Sequence, residues 1–308
     1  MKIVFMGNPP IACHLLNAIH DSSHELVGVV SNIPKVMGRG KKLKFTAVGD
    51  LANSLKIPFI GFNSKDDESI RNELQILKPD LFVVMAFRIL SDSILSIPKI
   101  GSINVHTSLL PKYRGAAPIQ HSLINGDKKT GLTTFVIESK VDTGGIILQK
   151  EILINKHDNF GSLSEKMANK SGELVLESIE KIQQGHKPIP QNNSDVTLAP
   201  KILKSYYLID WFKKAESIHN QIRALSPQPG AYTIINNKRF KILKSKVYSN
   251  DSSHEPGKII IIDKQHLLIS CNKSLLELID IQVEGKKIML ASDWIKGIQN
   301  HQNLTISL

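Results

Sequence analysis

The chain has 308 residues, of which 41% are hydrophobic and 22% charged, proportions typical of a globular protein long enough for two domains with separate cores. Its two cysteines, Cys13 and Cys271, lie far apart and exclude a disulfide framework, while no apolar run approaches the ~20 residues that span a bilayer. The formal net charge of +11 favours a polyanionic partner, with nucleic acid ahead of an acidic membrane surface, although a lysine-rich background composition would give the same excess. The short N-terminal stretch before Gly7 is not a secretory signal, so we expect a cytoplasmic protein.

The first segment predicts the start of a parallel α/β sheet. A buried strand at Ile3–Met6 is closed by Gly7, a helix covers Ile11–Ile19, and a second strand covers Leu26–Val30. This order is typical of a doubly wound, mostly parallel sheet. Because no second or third glycine follows Gly7, the segment has neither a dinucleotide fingerprint nor a P-loop, and we predict neither NAD nor ATP.

A basic segment, Lys35–Lys44, follows the second strand. It has no acidic residue, its two glycines predict a flexible loop, and its basic residues are Lys35, Arg39, Lys41, Lys42 and Lys44. One interpretation is a solvated surface loop. Its place at the carboxyl side of the sheet favours a second interpretation, a mobile cationic loop that reaches the phosphates of a substrate.

Two helices, near Phe45–Lys56 and over Asp66–Leu77, lead to a continuous apolar run at Leu81–Ala86. Such a run is expected of a central parallel strand that is covered on both faces. A helix at Ile119–Asn125 and two strands, at Thr133–Ile137 and Ile146–Ile154, follow further along.

The central stretch, Ser102–Pro118, begins as a strand, because apolar and polar residues alternate up to His106. Asn104 and His106 share one face of this strand near its end. In an open α/β sheet, ligands bind in the crevice at the carboxyl ends of the strands. Asp142 follows the predicted strand Thr133–Ile137, and we expect its side chain at the same crevice.

These three side chains suit an acyl transfer. A histidine exchanges protons near neutral pH, the amide of Asn104 donates to an oxyanion, and Asp142 orients and charges the pair. Taken singly, an asparagine or a histidine near a strand end is more often a hydrogen-bonded turn residue, so the inference depends on the three together. No metal-type cluster of ligands is present in the sequence, and we expect no metal.

The first domain is expected to end with a long helix, for which Ser162–Glu165 predicts a capping box. Its predicted buried stripe consists of Leu163, Met167, Ser171, Leu174, Ser178 and Ile182. We expect the first domain over residues 1–189, a polar linker over 190–205 and a second domain over 206–308.

The second domain is predicted to be a small barrel. After a short strand at Tyr207–Ile209 and a helix at Lys213–Leu225, apolar runs recur at roughly ten-residue spacing. These runs are Ala231–Ile235, Phe240–Val247, Lys258–Asp263, Leu267–Ser270 and Leu275–Val283. Residues 206–308 carry 14 basic and 9 acidic side chains, a positive charge density about twice that of the first domain, as an RNA-binding surface requires.

A pattern in several parts resembles the folate-dependent formyltransferase family. Its parts in the first domain are Asn104-Val-His106, Ser108-Leu-Leu-Pro111, Arg114-Gly115 and Asp142 with Gly144-Gly145. Further parts lie in the second domain, at Gln221–Ala224, Pro227–Ala231, Glu284–Met289 and Ala291–Trp294. The resemblance covers essentially the whole chain and implies a Rossmann-like domain followed by an OB-like barrel that binds tRNA. Asn8-Pro9-Pro10 departs from the family pattern after the first strand.

The two-domain layout resembles the branch of this family that acts on initiator tRNA. The resemblance implies transfer of the formyl group of 10-formyltetrahydrofolate to the amino group of methionine on initiator tRNA, with Asn104, His106 and Asp142 as catalytic residues. The residues it assigns to the reduced folate are Phe87, Ile89, Leu90, Ser108, Leu109, Leu110 and Pro111. Those it assigns to the tRNA are Arg39, Lys41 and Lys42.

Two other functions remain open at this point. One is a formyltransferase for another amine, such as a nucleotide sugar or glycinamide ribonucleotide; the basic second domain argues against the latter, whose enzymes resemble the first domain alone. The other is a non-catalytic RNA-binding module, against which the intact Asn104, His106 and Asp142 argue. We expect a monomer with no membrane contact and no stable protein partner.

Overall fold

The computed structural model describes residues 1–37, 42–63, 67–298 and 304–306. The chain divides into two compact units. The first contains Met1–Pro118, Lys129–Leu153 and Ser164–Ala199, and the second contains Ile119–Lys128, Ile154–Leu163 and Pro200–Leu308. The domain boundaries predicted from the sequence stay a prediction.

A seven-stranded sheet forms the centre of the first unit. In spatial order its strands are β5 (Phe59–Phe62), β2 (Glu25–Asn32), β1 (Lys2–Gly7), β6 (Leu81–Met85), β7 (Gly101–His106), β8 (Lys129–Val136) and β9 (Ile146–Leu153). The first five strands are parallel, and β8 and β9 extend the sheet in antiparallel fashion. The predicted Rossmann-like, mostly parallel sheet is therefore confirmed.

The connecting helices follow from amphipathic sequence patterns. They are α1 (Ile11–His20), α2 (Ala47–Ser54), α3 (Asp67–Leu77), α4 (Asp92–Leu95), α5 (Pro118–Ile124) and α6 (Phe160–Gln183). In α1 the buried residues are Ala12, Leu15, Leu16 and Ile19, the i, i+3, i+4, i+7 spacing of a single helix face. Every side chain of β6 is buried, and each such apolar side chain contributes roughly 1.5–3 kcal/mol to folding.

The strand order creates the crevice that a site needs. From β1 the chain proceeds outward through β2 to β5, and then returns to the other side of β1 to form β6 and β7. Ligands of open α/β sheets bind where the strand order reverses, outside the carboxyl ends of the strands. The ends of β6 and β7, at Met85 and His106, therefore lie at the expected position.

Two local predictions need correction. The ends of the basic segment form a short antiparallel pair, β3 (Lys35–Met37) and β4 (Lys42–Lys44), because its alternating pattern supports strands; residues 38–41 lie outside the described residues. The capping box at Ser162–Glu165 was also misplaced. The helix α6 begins at Phe160, and Asn159 caps it: the Asn159 Oδ1 accepts from the Ser162 N–H at 2.9 Å, and the Ser162 Oγ accepts from the Asn159 N–H at 3.0 Å. Asparagine serves as well as serine at this position.

An antiparallel sheet forms the second unit, as expected of an OB-like domain. Its strands are β10 (Ala231–Ile235), β11 (Lys238–Ser249), β14 (Ser274–Val283), β13 (His266–Cys271) and β12 (Ile259–Ile262), with β15 (Met289–Leu290) beside β14. Two helices, α7 (Ala215–Leu225) and α8 (Ala291–Lys296), belong to this unit, as do residues 119–124 of α5 and the first turn of α6. The strand predicted at Tyr207–Ile209 is instead a 3-10 turn at Lys204–Tyr207 followed by a single bridge from Leu208 to Tyr232.

The core of the second unit surrounds Trp211, which is fully buried. Its indole N–H donates to the Thr233 Oγ1 at 3.0 Å, so the polar atom of this side chain is satisfied inside the core. Within the residues that the structure describes, no helix combines the length and the apolar character that crossing a bilayer requires.

Candidate active site

A cavity of about 480 Å³ lies at the carboxyl ends of β6 and β7. Its walls come from four places: residues 84–90, the end of β7 with Asn104 and His106, residues 115–118, and residues 135–142 at and after the end of β8. The structure thus brings together the three predicted catalytic residues and the predicted folate residues Phe87, Ile89 and Leu90. A volume of this size is typical of cofactor and substrate pockets.

His106 is buried and its tautomer is fixed. The Nε2 lies 2.8 Å from the Tyr113 carbonyl oxygen, and since a carbonyl only accepts, Nε2 carries the proton. The Nδ1 faces the Asp142 Oδ2 at 3.7 Å, too far for a direct hydrogen bond. Burial lowers the pKa of His106 from its ordinary value, although the Asp142 carboxylate and the hydrogen bond to Tyr113 oppose that shift. His106 is therefore neutral at pH 7, with the Nδ1 lone pair open to a proton.

Asp142 is held in an uncommon backbone conformation. Its φ is +55°, in the left-handed region that aspartate tolerates better than most residues. The Gly115 N–H donates to its Oδ2 at 2.8 Å, and the side-chain amide of Gln191 donates to its backbone carbonyl at 3.0 Å. The carboxylate is thus directed at His106 by contacts from two other segments.

Asn104 is half-buried on the wall of the cavity. Within the described part of the chain, its side-chain amide has no hydrogen-bond partner, whereas His106 and Asp142 are both held by backbone groups. A half-buried amide with open donors at a cavity wall is suited to bind the oxygen of a ligand.

The turn after β6 presents backbone groups to the same cavity. In residues 87–90, no hydrogen bond joins the backbone N–H or C=O groups to another group of the described chain. Arg88 donates from its Nε to the Asn32 Oδ1 at 3.0 Å, and the Phe87 ring packs edge-on against Phe62. These contacts anchor the turn while its backbone donors and acceptors remain available to a flat heteroaromatic ligand.

Four predicted folate residues do not line this cavity. Ser108, Leu109, Leu110 and Pro111 are instead part of a loop held against β8 and β9. The Thr133 hydroxyl donates to the Ser108 carbonyl at 2.7 Å and accepts from the Leu110 N–H at 3.1 Å. The apolar Leu-Leu-Pro pattern serves to pack the loop that carries the chain from His106 to Gly115.

Of the three predicted tRNA residues, only Lys42 is among the residues that the structure describes. Arg39 and Lys41 lie outside the described residues, and Lys42 is the first residue of β4. Among the residues that are described, no group of three or more His, Cys, Asp or Glu side chains forms a metal site.

Two residues that hold the site were missed from the sequence. Gly115 has φ +126°, and a Cβ there would lie 2.7 Å from the Ala199 carbonyl oxygen, so only glycine fits. The Arg-Gly pair after Pro111 was a signal for that requirement. Gln191 lies in a polar stretch without periodicity, which offers no signal.

Comparisons with known proteins agree with this arrangement. The formyl transferase family model matches residues 1–179, and the model of the formyl transferase C-terminal domain matches residues 201–299. Methionyl-tRNA formyltransferase of Clostridioides difficile (strain 630) is 42% identical over 299 residues, which cover 96% of this chain and 97% of that one. The protein of the same name from Syntrophomonas wolfei is 39% identical over 310 residues, covering 99% and 98%.

Solved structures share the fold at lower identity. WlaRD, a sugar 3N-formyl transferase, superposes with a TM-score of 0.68 at 22% identity over 93% of this chain and 99% of that chain. Phosphoribosylglycinamide formyltransferase from Bacillus halodurans superposes with a TM-score of 0.51 at 18% identity, over 61% of this chain and 97% of that chain. The family models, the relatives along the full length and the shared fold together show that the chain belongs to the formyl transferase family.

Proposed function

We propose that the protein transfers the formyl group of 10-formyltetrahydrofolate to the amino group of methionyl initiator tRNA, as in translation initiation. The observation that carries this choice of substrate is the identity of about 40% to proteins named methionyl-tRNA formyltransferase, sustained over nearly the whole of both chains. The glycinamide alternative is disfavoured, because such an enzyme accounts for only 61% of this chain and leaves a basic second unit without a role.

The folate pocket is proposed to be the cavity beside β6 and β7. The unpaired backbone groups of residues 87–90 fit the donor and acceptor edge of a pterin ring, and the apolar walls fit its faces. Phe87, Ile89 and Leu90 would hold the reduced folate, which supplies an activated formyl group when bound. Asn104, His106 and Asp142 line the same cavity, and the formyl group would react beside them.

The chemistry that these residues support is general-base and oxyanion catalysis. The Asn104 amide donates to the negative charge that develops on the formyl oxygen. The attacking amine must be neutral, and α-amino groups titrate near ~8. His106 has committed Nε2–H to Tyr113, so its Nδ1 accepts the proton that the amine loses as the new C–N bond forms. Asp142 stabilises the resulting imidazolium, and the same proton is then available to the departing nitrogen.

A formylation assay tests the proposed function. Charged initiator tRNA, charged elongator tRNA, free methionine and a dTDP-linked amino sugar are each offered with 10-formyltetrahydrofolate, and the formylated product is quantified. We expect efficient product formation on the initiator tRNA. Product on the amino sugar alone would assign the protein to the sugar-modifying formyltransferases, and no product on any amine would favour a non-catalytic RNA-binding protein.

Binding of the reduced folate is expected to stabilise the protein against heat. A ligand that binds only the folded state adds about 2.7 kcal/mol to the free energy of unfolding at a concentration of 100 Kd, so the melting temperature should rise steadily with folate concentration. The control is p-aminobenzoylglutamate, which lacks the pterin. An equal shift with this fragment, or none with the whole folate, would contradict pterin binding at residues 87–90.

Arg39 is proposed to discriminate the initiator tRNA. Its planar guanidinium contacts phosphate in bidentate fashion or stacks on a base, and lysine reproduces neither geometry. Arg39→Lys should therefore retain most of the salt-dependent tRNA affinity and lose part of the ratio of kcat/KM on initiator over elongator tRNA. Lys41→Arg is the matched control, since it also keeps the charge. An unchanged ratio in Arg39→Lys would show that Arg39 is one surface charge among several.

A further inference from the structure

The polar segment 191–199 lies along the loop that completes the candidate active site. Its Thr197 carbonyl accepts from the Arg114 N–H at 2.9 Å, and the Arg114 carbonyl accepts from the Ala199 N–H at 2.8 Å. The Ala199 carbonyl in turn accepts from the Ala117 N–H at 3.0 Å. A stretch that the sequence analysis assigned to a linker is thus paired with residues 114–117 by backbone hydrogen bonds.

This segment also fixes the partner of the catalytic histidine. The Thr197 Oγ1 accepts from the Tyr113 N–H at 2.9 Å, and the Tyr113 carbonyl accepts from the His106 Nε2 at 2.8 Å. The Tyr113 carbonyl belongs to the same peptide as the Arg114 N–H, which donates to the Thr197 carbonyl at 2.9 Å. The protonation pattern of His106 therefore depends on a peptide that the 191–199 segment holds.

Gln191 makes the most direct connection to the catalytic carboxylate. Its Nε2 donates to the Asp142 carbonyl at 3.0 Å and to the Gly144 carbonyl at 2.8 Å. Its Oε1 accepts from the Arg114 Nε at 3.1 Å and from the Arg114 Nη2 at 2.7 Å. Because the guanidinium only donates, it determines which way the amide points, and the two amide hydrogens are left for the two carbonyls.

We propose that Gln191 is a positioning residue that holds Asp142 at the distance from His106 that the reaction requires. The expected effect on kcat rests on the proposed formyl transfer. Asp142 has a positive φ, so its conformation persists only because its surroundings impose it. Gln191 bridges the carbonyls on either side of Thr143 and fixes the turn that sets the carboxylate direction. Gly115 then holds the Oδ2 itself.

The test uses two variants with complementary defects. Gln191→Met keeps the length and neutrality of the side chain and loses both donors and the acceptor. Gln191→Glu keeps the acceptor for Arg114 and turns an oxygen towards the carbonyls of Asp142 and Gly144. The matched control is Asn192→Ala, because Asn192 is exposed and, among the described residues, its side chain bonds within its own turn, to Ser194 and Asp195.

Kinetics and a direct titration are measured on each variant. We expect kcat for formylation to fall roughly tenfold or more in Gln191→Met, since small misplacements of a catalytic group have large effects, with KM within about threefold of wild type. The imidazole ¹⁵N resonances of His106, followed by NMR against pH in the free protein, should titrate at lower pH in Gln191→Met. Displacing the Asp142 carboxylate removes an interaction that raises the pKa of His106, and Asp142→Asn marks the full extent of that shift.

The outcomes separate the inference from the proposed function. Wild-type kcat and an unchanged His106 titration in both Gln191 variants would overturn the positioning role while leaving formyl transfer intact. A shifted titration in Gln191→Met in a protein that formylates no amine would support the positioning role and refute the function. Should Gln191→Met fail to fold, the kcat and titration of Gln191→Glu decide the matter by the same criteria.

Discussion

Replacing His106 with alanine is expected to lower turnover by roughly 10²-fold or more, the usual effect of removing a general acid–base group. The imidazole is neutral because burial lowers its pKa, and its Nδ1 faces the Asp142 carboxylate at 3.7 Å without a hydrogen-bond partner among the described residues. Without it, the amine must release its proton to water in a buried site. Single-turnover formylation with saturating folate and charged tRNA measures this step without contributions from product release.

Asn104→Ala and Asp142→Ala are expected to reduce turnover on the same scale, roughly 10² each, the first through loss of an oxyanion donor. In double variants with His106→Ala, the losses of turnover should be less than additive, because the three residues stabilise the same transition state. His186→Ala is the matched control, since this histidine is exposed and does not line the cavity. If all three variants turn over like wild type, the catalytic assignment is wrong.

The placement of Asn104 and His106 could be predicted because strand geometry is regular. Alternation of apolar and polar residues identifies β7, and a period of two fixes that both side chains share a face. The apolar run of β6 identified a central strand for an equally general reason, burial on both faces. The crevice then follows from the order of strands in a doubly wound sheet.

The supporting contacts could not be predicted, because one partner in each is a backbone carbonyl, which every residue type has, and the pairing is created only by the tertiary structure. The partner of His106 is the carbonyl of Tyr113, and every residue type offers a carbonyl. Gln191 lies 49 positions from Asp142, in a polar stretch whose pairing depends on tertiary structure alone. The folate role of Ser108–Pro111, which the family resemblance implies, stays a prediction; in the structure these residues hold their loop against β8 through Thr133.

Gly144→Ala is expected to destabilise the protein and to abolish most activity, for a purely steric reason. A Cβ at this position would overlap the carbonyl oxygen of Val136, and that oxygen belongs to backbone and cannot rotate away. Val136 is tied to the same turn, because its N–H donates to the Gly145 carbonyl at 3.0 Å. Overpacking at a buried contact of this kind is expected to lower the free energy of unfolding by roughly 1–3 kcal/mol.

Relief of that overlap requires the turn that contains Asp142 to move away from β8. The Gly144 carbonyl would then leave Gln191, and the Asp142 carboxylate would leave its position beside His106. A shift of about 1 Å in a catalytic group lowers turnover by roughly 10², so the loss of activity should exceed what the loss of folded protein accounts for.

The melting temperature is expected to fall by about 2–4 °C per kcal/mol. Gly297→Ala is the control, since a Cβ there meets its nearest atom at 3.5 Å, an ordinary contact. Equal stability and activity of the two variants would show that the turn yields without displacing Asp142. Gly144 then would not transmit its steric overlap to the carboxylate beside His106.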